Sequence, residues 1–167
     1  VIPGENVPLL RELAELTVSG PGGLASLMGW SNWTTTVAIS GDIEITGGRG
    51  LRLWNGNSAG VVPVQVGGNV SVGAGAALIL GNVNSSGAGQ SINDRLTEFT
   101  VSGTTVISGT LLNSGGNNTT SGSNINALGD LVINTGGSVI GAAGGDGSTN
   151  TGVRGYNLNA RSLSGRG

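Results

Sequence analysis

Val64-Gln65-Val66-Gly67-Gly68-Asn69-Val70-Ser71-Val72 is the stretch that decides how this chain is read. Two alternating apolar pairs, Val64/Val66 and Val70/Val72, flank two glycines, so two short strands, each with one buried face, meet at a tight corner. A third pair, Leu78/Leu80, begins six residues past Val72. The same order recurs on both sides. Ser40-Gly41-Asp42-Ile43-Glu44-Ile45 follows Val37/Ile39, Ser102-Gly103-Thr104-Thr105-Val106-Ile107 follows Phe99/Val101, and Leu128-Gly129-Asp130-Leu131-Val132-Ile133 follows Ile125/Ala127. The third strand is supplied by Leu51/Leu53 in the first of these units and by Val139 in the last. A shorter link leads to Leu111 in the unit between.

Polar, Gly-rich insertions of variable length follow each third strand, at 54–60, 81–94, 113–124 and 141–152. Units of this size, with three strands, two tight corners and one variable corner, imply an all-β chain folded as a short right-handed β-helix (β-solenoid) of about four to five coils over 36–167. No coil buries its own apolar face, so successive coils stack about 4.8 Å apart around a column of Val, Ile and Leu. The insertions leave from one corner and are expected to gather along one side. Tyr156, Leu158 and Ala160 alternate one residue out of phase with the anchor, as a partial last coil. A trimeric interlocked β-fibre or a β-sandwich would use the same alternation.

Residues 1–35 differ in kind and read as a cap or attachment segment. Asn6 is a candidate N-cap, Pro8 falls in the first turn, and Leu9, Leu10, Leu13 and Leu16 follow helical spacing. An amphipathic helix over Val7–Leu16 is therefore expected. It would cover the first coil or dock the chain on a larger assembly. Trp30 and Trp33, two of the three Trp residues, mark an oligomer contact or a packing site for the cap.

Composition removes most enzyme chemistries. The 167 residues include 34 Gly, 17 Asn, no Cys, no His and no Lys, with seven Arg against nine carboxylates. Without Cys there are no disulfides or thiolate metal sites, and without His there is no imidazole base for a serine triad. No Gly-Lys-Ser/Thr follows the Gly-rich runs, so they are not phosphate loops. A lone Asp146 in a Gly-rich turn does not make a repeated calcium site, and neither metal nor cofactor is expected. A net charge of −2 gives no field for nucleic acid, and no apolar run is long enough to insert in a membrane.

Glycan cleavage is the one enzyme class kept open, because it needs only a carboxylate pair. Asp94, Glu98 and Asp130 are its candidates. Asp42, Asn69, Thr104 and Asp130 share the anchor position, and their simpler role is a polar ladder satisfying corner amides.

Gly68-Asn69-Val70-Ser71-Val72-Gly73-Ala74-Gly75-Ala76-Ala77-Leu78-Ile79-Leu80-Gly81 resembles, in repeat style, the passenger repeats of autotransporter adhesins and the β-helical shafts of bacteriophage tail fibres and tailspikes. The likeness runs over about 36–140 and includes no site motif. It implies a structural protein of the virion surface, or else of the extracellular space or cell surface. Its expected partners are copies of itself, a trimer foremost, a capsid or tail protein, and a host surface glycan or protein. The absence of a signal-peptide pattern and the short helix before the shaft favour a virion fibre or spike. A polysaccharide-degrading tailspike and a secreted adhesin passenger or self-assembling surface filament are the alternatives.

Overall fold

A computed structural model describes residues 12–27, 36–53, 62–80, 97–114, 125–142 and 157–165. All regular structure among them is β-strand, arranged in units of three. The first unit is β1 (Glu12–Leu13), β2 (Leu16–Val18) and β3 (Leu24–Leu27). The second is β4 (Val37–Ile39), β5 (Ile43–Ile45) and β6 (Gly50–Leu53), and the third is β7 (Val62–Val66), β8 (Val70–Val72) and β9 (Ala77–Leu80). The fourth is β10 (Thr97–Val101), β11 (Thr104–Ile107) and β12 (Thr110–Ser114), and the fifth is β13 (Ile125–Ala127), β14 (Asp130–Ile133) and β15 (Ser138–Ala142). A sixth unit adds β16 (Asn157–Asn159) and β17 (Ser162–Gly165).

Each successive strand joins the next of three sheets. One sheet runs β1-β4-β7-β10-β13-β16, the second β2-β5-β8-β11-β14-β17, and the third β3-β6-β9-β12-β15. We call them sheets A, B and C. Every ladder is parallel, which sets aside the β-sandwich, an antiparallel architecture. Parallel sheets are usually covered on both faces. Here β4, β5 and β8 alternate between buried and more open positions, so one face is sealed by the strand period.

In register, Ile43 stands on Leu16 and under Val70, and Leu51 stands under Leu78. Inward apolar side chains of all three sheets form one cluster, which includes Ile39, Ile45, Leu53, Val66, Leu78 and Phe99, and Ile79 and Leu112, with Leu24 and Ala77 against them, form a second on sheet C. The described strands of this one chain supply the first cluster from all three sheets. Thr105 occupies an inward slot of sheet B between Val70 and Leu131. It is fully buried, and its Oγ1 donates to the Leu128 carbonyl at 2.8 Å. Thr105→Val keeps the shape and removes the donor, and is expected to cost about 1–2 kcal/mol in urea unfolding.

The structure departs from the sequence reading at four places. No helix is present in the described part of the stretch Val7–Leu16: Glu12–Leu13 and Leu16–Val18 are strands, and Ala14 and Glu15 form the corner between them; Val7 to Arg11 lie outside the described residues. The 3–4 spacing of Leu9, Leu13 and Leu16 fits a helix, but an isolated ten-residue helix is marginal. Strands at the same sites gain the ladders of β4 and β5 and pack Leu13 and Leu16 against the core. Second, β1–β3 at 12–27, ahead of the expected start at 36, already join the three sheets, so the described residues hold five three-strand units and a two-strand sixth where four to five coils were expected.

Third, the first corner of the fifth unit is one residue shorter than that of the fourth. Phe99 pairs with Asn126, so Leu128, fully buried, takes the core slot expected for Ala127. Gly129 alone then turns the chain, at φ +60°. The sixth unit keeps this short corner, with Ala160 and Arg161 beside Leu128 and Gly129, which accounts for the phase shift seen in the sequence. Fourth, Asn113–Ser114 and Gly141–Ala142 extend β12 and β15, so the last two insertions start later than expected. The short link to Leu111 is present as the two-residue corner Ser108–Gly109. It lies against the Gly73–Ala76 corner so closely that a Cβ on Gly109 would collide with the Gly73 and Ala76 carbonyls.

Candidate functional site

The corner from sheet A to sheet B carries a polar column. Register places Glu15, Asp42, Asn69, Thr104, Asp130 and Ser162 one above another, each just before the first inward residue of its sheet B strand or opening that strand. Asp and Asn suit this place because their short side chains reach a neighbouring backbone amide. Asp42 Oδ1 accepts from the Asn69 backbone N–H at 2.7 Å, and Asn69 Oδ1 accepts from that of Thr104 at 3.0 Å. Thr104 does not continue the pattern, and the Asp130 N–H donates instead to the Gly103 carbonyl at 3.3 Å.

Asp130 anchors the last unit. Its carboxylate accepts from Ser162 Oγ at 2.8 Å and from Arg161 Nε at 2.9 Å, and Arg161 Nη2 closes a two-point ion pair. Hydrogen bonds from Arg161 and then Ser162, with the charge of Arg161 added, hold its pKa down at about 2. The same contact raises that of Arg161. Such a group stays ionised, the reverse of the raised carboxyl that donates a proton in glycoside hydrolysis.

The sign of the pH dependence follows from that depression. The stabilisation is complete above the unfolded value near 3.9 and is lost as pH falls towards 2. Between pH 4 and 2, amide exchange of Leu163 to Gly165 is expected to speed up, beyond its intrinsic pH dependence, before that of Val70 to Val72. Asp130→Asn should remove this extra dependence. The pair is exposed and screened by salt, so the measurement belongs at low ionic strength.

At the other end of the column, Glu15, Thr17, Asp42, Glu44, Asn69 and Ser71 line a shallow open concavity of about 240 Å³. It sits on the outward side of β2, β5 and β8. Three carboxylates, an amide and two hydroxyls offer hydrogen bonds to a hydroxyl-rich ligand and repel anions. Among the described residues no group of three His, Cys, Asp or Glu is placed to hold a metal ion. No helix among them is long and apolar enough to cross a membrane.

Two of the three candidate carboxylates are among the described residues, and they lie on different sheets. Glu98 lies in β10 of sheet A, paired with Pro63, whereas Asp130 is on sheet B with Arg161. Asp94 is outside the described residues, as are Leu9, Leu10, Trp30 and Trp33. Leu13 and Leu16, expected to serve attachment or capping, are partly buried core residues. A helix over Val7–Leu16 takes Glu15 out of the polar column and so hides the concavity. Its signal was the order Glu15-Leu16-Thr17-Val18, which repeats Asp42-Ile43-Glu44-Ile45. No family model, no curated protein and no solved structure matches the chain.

Proposed function

We propose that the chain is a right-handed β-helix serving as the shaft of a fibre or spike, a structural protein whose polar insertions contact a host surface. One observation carries the reading. The segments 28–36, 54–61, 81–96, 115–124 and 143–156 each leave a sheet C strand and return to a sheet A strand. An in-register stack with all its variable segments at one edge separates a uniform support from a changeable contact surface. Most of these segments carry no charge, which suits hydrogen bonding to neutral sugars. The setting is a virion surface, with a homo-oligomer, a trimer foremost, attached to a capsid or tail protein.

The test is binding of labelled protein to a panel of bacterial cells and their purified surface polysaccharides, with a reducing-end assay alongside. Binding without new reducing ends, lost when 81–94 is replaced by a Gly-Ser linker of equal length while circular dichroism is unchanged, supports the proposal. Release of reducing ends would transfer the chain to the glycan-cleaving alternative. Absence of binding across the panel would overturn host attachment.

A further inference from the structure

Sheet B is the side of the stack that carries no insertion. Every variable segment runs from sheet C to sheet A, whereas in the second to fifth units the chain is described without a break from sheet A through sheet B to sheet C. Thr17, Glu44, Ser71, Val106 and Val132 form the middle column of the outward face of sheet B. Glu44 is exposed there, and Ser71, Val106 and Val132 are half-buried.

The two edges of this face differ in charge. Along the sheet A edge, Asp42 and Glu15, with Glu44 beside them, surround the concavity of about 240 Å³. Along the other edge, the described corners from sheet B to sheet C contain one charged residue, Arg49. Around it Gly47, Gly48, Ala74 and Gly75 are exposed and carry nothing larger than a methyl group. The Arg49 guanidinium lies against the unit before, where a Cβ on Gly20 would stand 3.4 Å from Nη1. Its charge therefore sits between the first and second units, level with Glu15 and Glu44 on the other edge. Among the described residues, none of Arg49, Glu15 and Glu44 has an ion pair or a side-chain hydrogen bond.

We infer that sheet B is the face on which a second copy of this chain docks, side by side and parallel, with the Arg49 corner of one copy set into the Asp42/Glu44 concavity of the next. The groups to be paired have opposite charge and equal height. A rotation about an axis parallel to the stack leaves height unchanged, so it brings them together. The two edges are different surfaces, so the contact is heterologous and the rotation closes it into a ring. Three copies form the smallest such ring. Its interior is lined by the three B faces, and the edge that carries the insertions points outward. The glycine corner places no bulk in front of Arg49, whose planar fork suits carboxylates. Further along the stack Val106 and Val132 of the copies face one another across the axis and lose their remaining water.

The inference rests on the proposed homo-oligomer and not on host attachment. Sedimentation of the 167-residue chain over a range of concentrations, with circular dichroism in parallel, tests it. The mass is expected to level off at three chains of 16.3 kDa each, and assembly to weaken in about 0.5 M salt. Glu44→Arg and Arg49→Glu, which set like charges at the contact, are each expected to raise the concentration needed at least tenfold without loss of sheet signal. Ser71→Trp, which fills the concavity and touches neither charge, should do the same. A chain carrying both charge exchanges again sets an acid against an arginine, and is expected to lose at least tenfold less than the two single effects combined. A trimer indifferent to all three single substitutions, charge effects that simply combine, or growth without a plateau overturns sheet B as the docking face and leaves the homo-oligomer standing. A constant 16.3 kDa mass with the sheet signal retained overturns the homo-oligomer and this inference with it.

Discussion

Gly129→Ala is expected to destabilise the chain by at least about 3 kcal/mol and to detach the fifth and sixth units first. Gly129 turns its corner alone, at φ +60°, a conformation that side chains resist. A Cβ there would drive into the Gly103 carbonyl oxygen and stand 3.0 Å from that of Val101. Both obstacles are backbone of the preceding unit and neither moves without breaking the stack. Gly136 separates strain from collision, because its φ is +83° yet a Cβ would meet nothing within 4 Å. Gly136→Ala is therefore expected to cost only about 1–2 kcal/mol. Urea midpoints of the two variants check the contrast, and equal losses would mean that close approach adds nothing.

Phe99→Ala is expected to cost about 3–5 kcal/mol, the largest effect of any simple truncation in the core. Phe99 is the chain's one phenylalanine and is fully buried. It continues the column Val37, Val64, where two slim side chains precede one broad ring, and its backbone pairs with that of Asn126 in the unit beyond. Parallel sheets hold the strand spacing fixed, so the neighbours cannot collapse into the space it leaves. Phe99→Leu should lose less than half as much. Thermal and urea unfolding of both variants measures the difference, and a loss below about 1 kcal/mol for Phe99→Ala would show that the column closes up.

Much of this architecture was legible because the strand period is repeated with a turn residue at each corner. Val64/Val66, Gly68 and Val70/Val72 announce two strands and a corner, and the short step from Ile107 to Leu111 foretold the narrow Ser108–Gly109 turn. The polar column was legible too, since Asp42, Asn69 and Asp130 follow the anchor glycines directly. Leu13 and Leu16 were misread because three-residue spacing satisfies a helix as well as a strand broken by a corner, and only pairing with Ile39 and Ile43 decides between them. Leu128 was misread because it occupies the place of Ser40, Gly67 and Ser102 when the glycines are aligned. A one-residue deletion at a corner leaves no mark in composition. Arg161 gave no local signal at all: its partner Asp130 is 31 residues away, a separation that only the stacking register reveals.

The pairing of every strand with one about thirty residues along the chain governs how the molecule must begin to fold. Neighbouring strands are separated by as much as the 35 residues from Asn69 to Thr104 and as little as the 26 from Ser108 to Asn134. No ladder among the described residues is local, so the first of them has to be nucleated by closing a long loop, after which each further unit zips onto an edge already made. The difference in closure entropy between 26 and 35 residues is only about 0.3 kcal/mol, too little to choose the starting point. Apolar content chooses it: the second and third units fill their inward slots with Val, Ile and Leu, whereas the fourth places Thr105 there and the sixth leaves Leu163 open. Ile45→Val and Val72→Ala should slow refolding in proportion to the stability they remove, while Leu131→Ala should chiefly hasten unfolding.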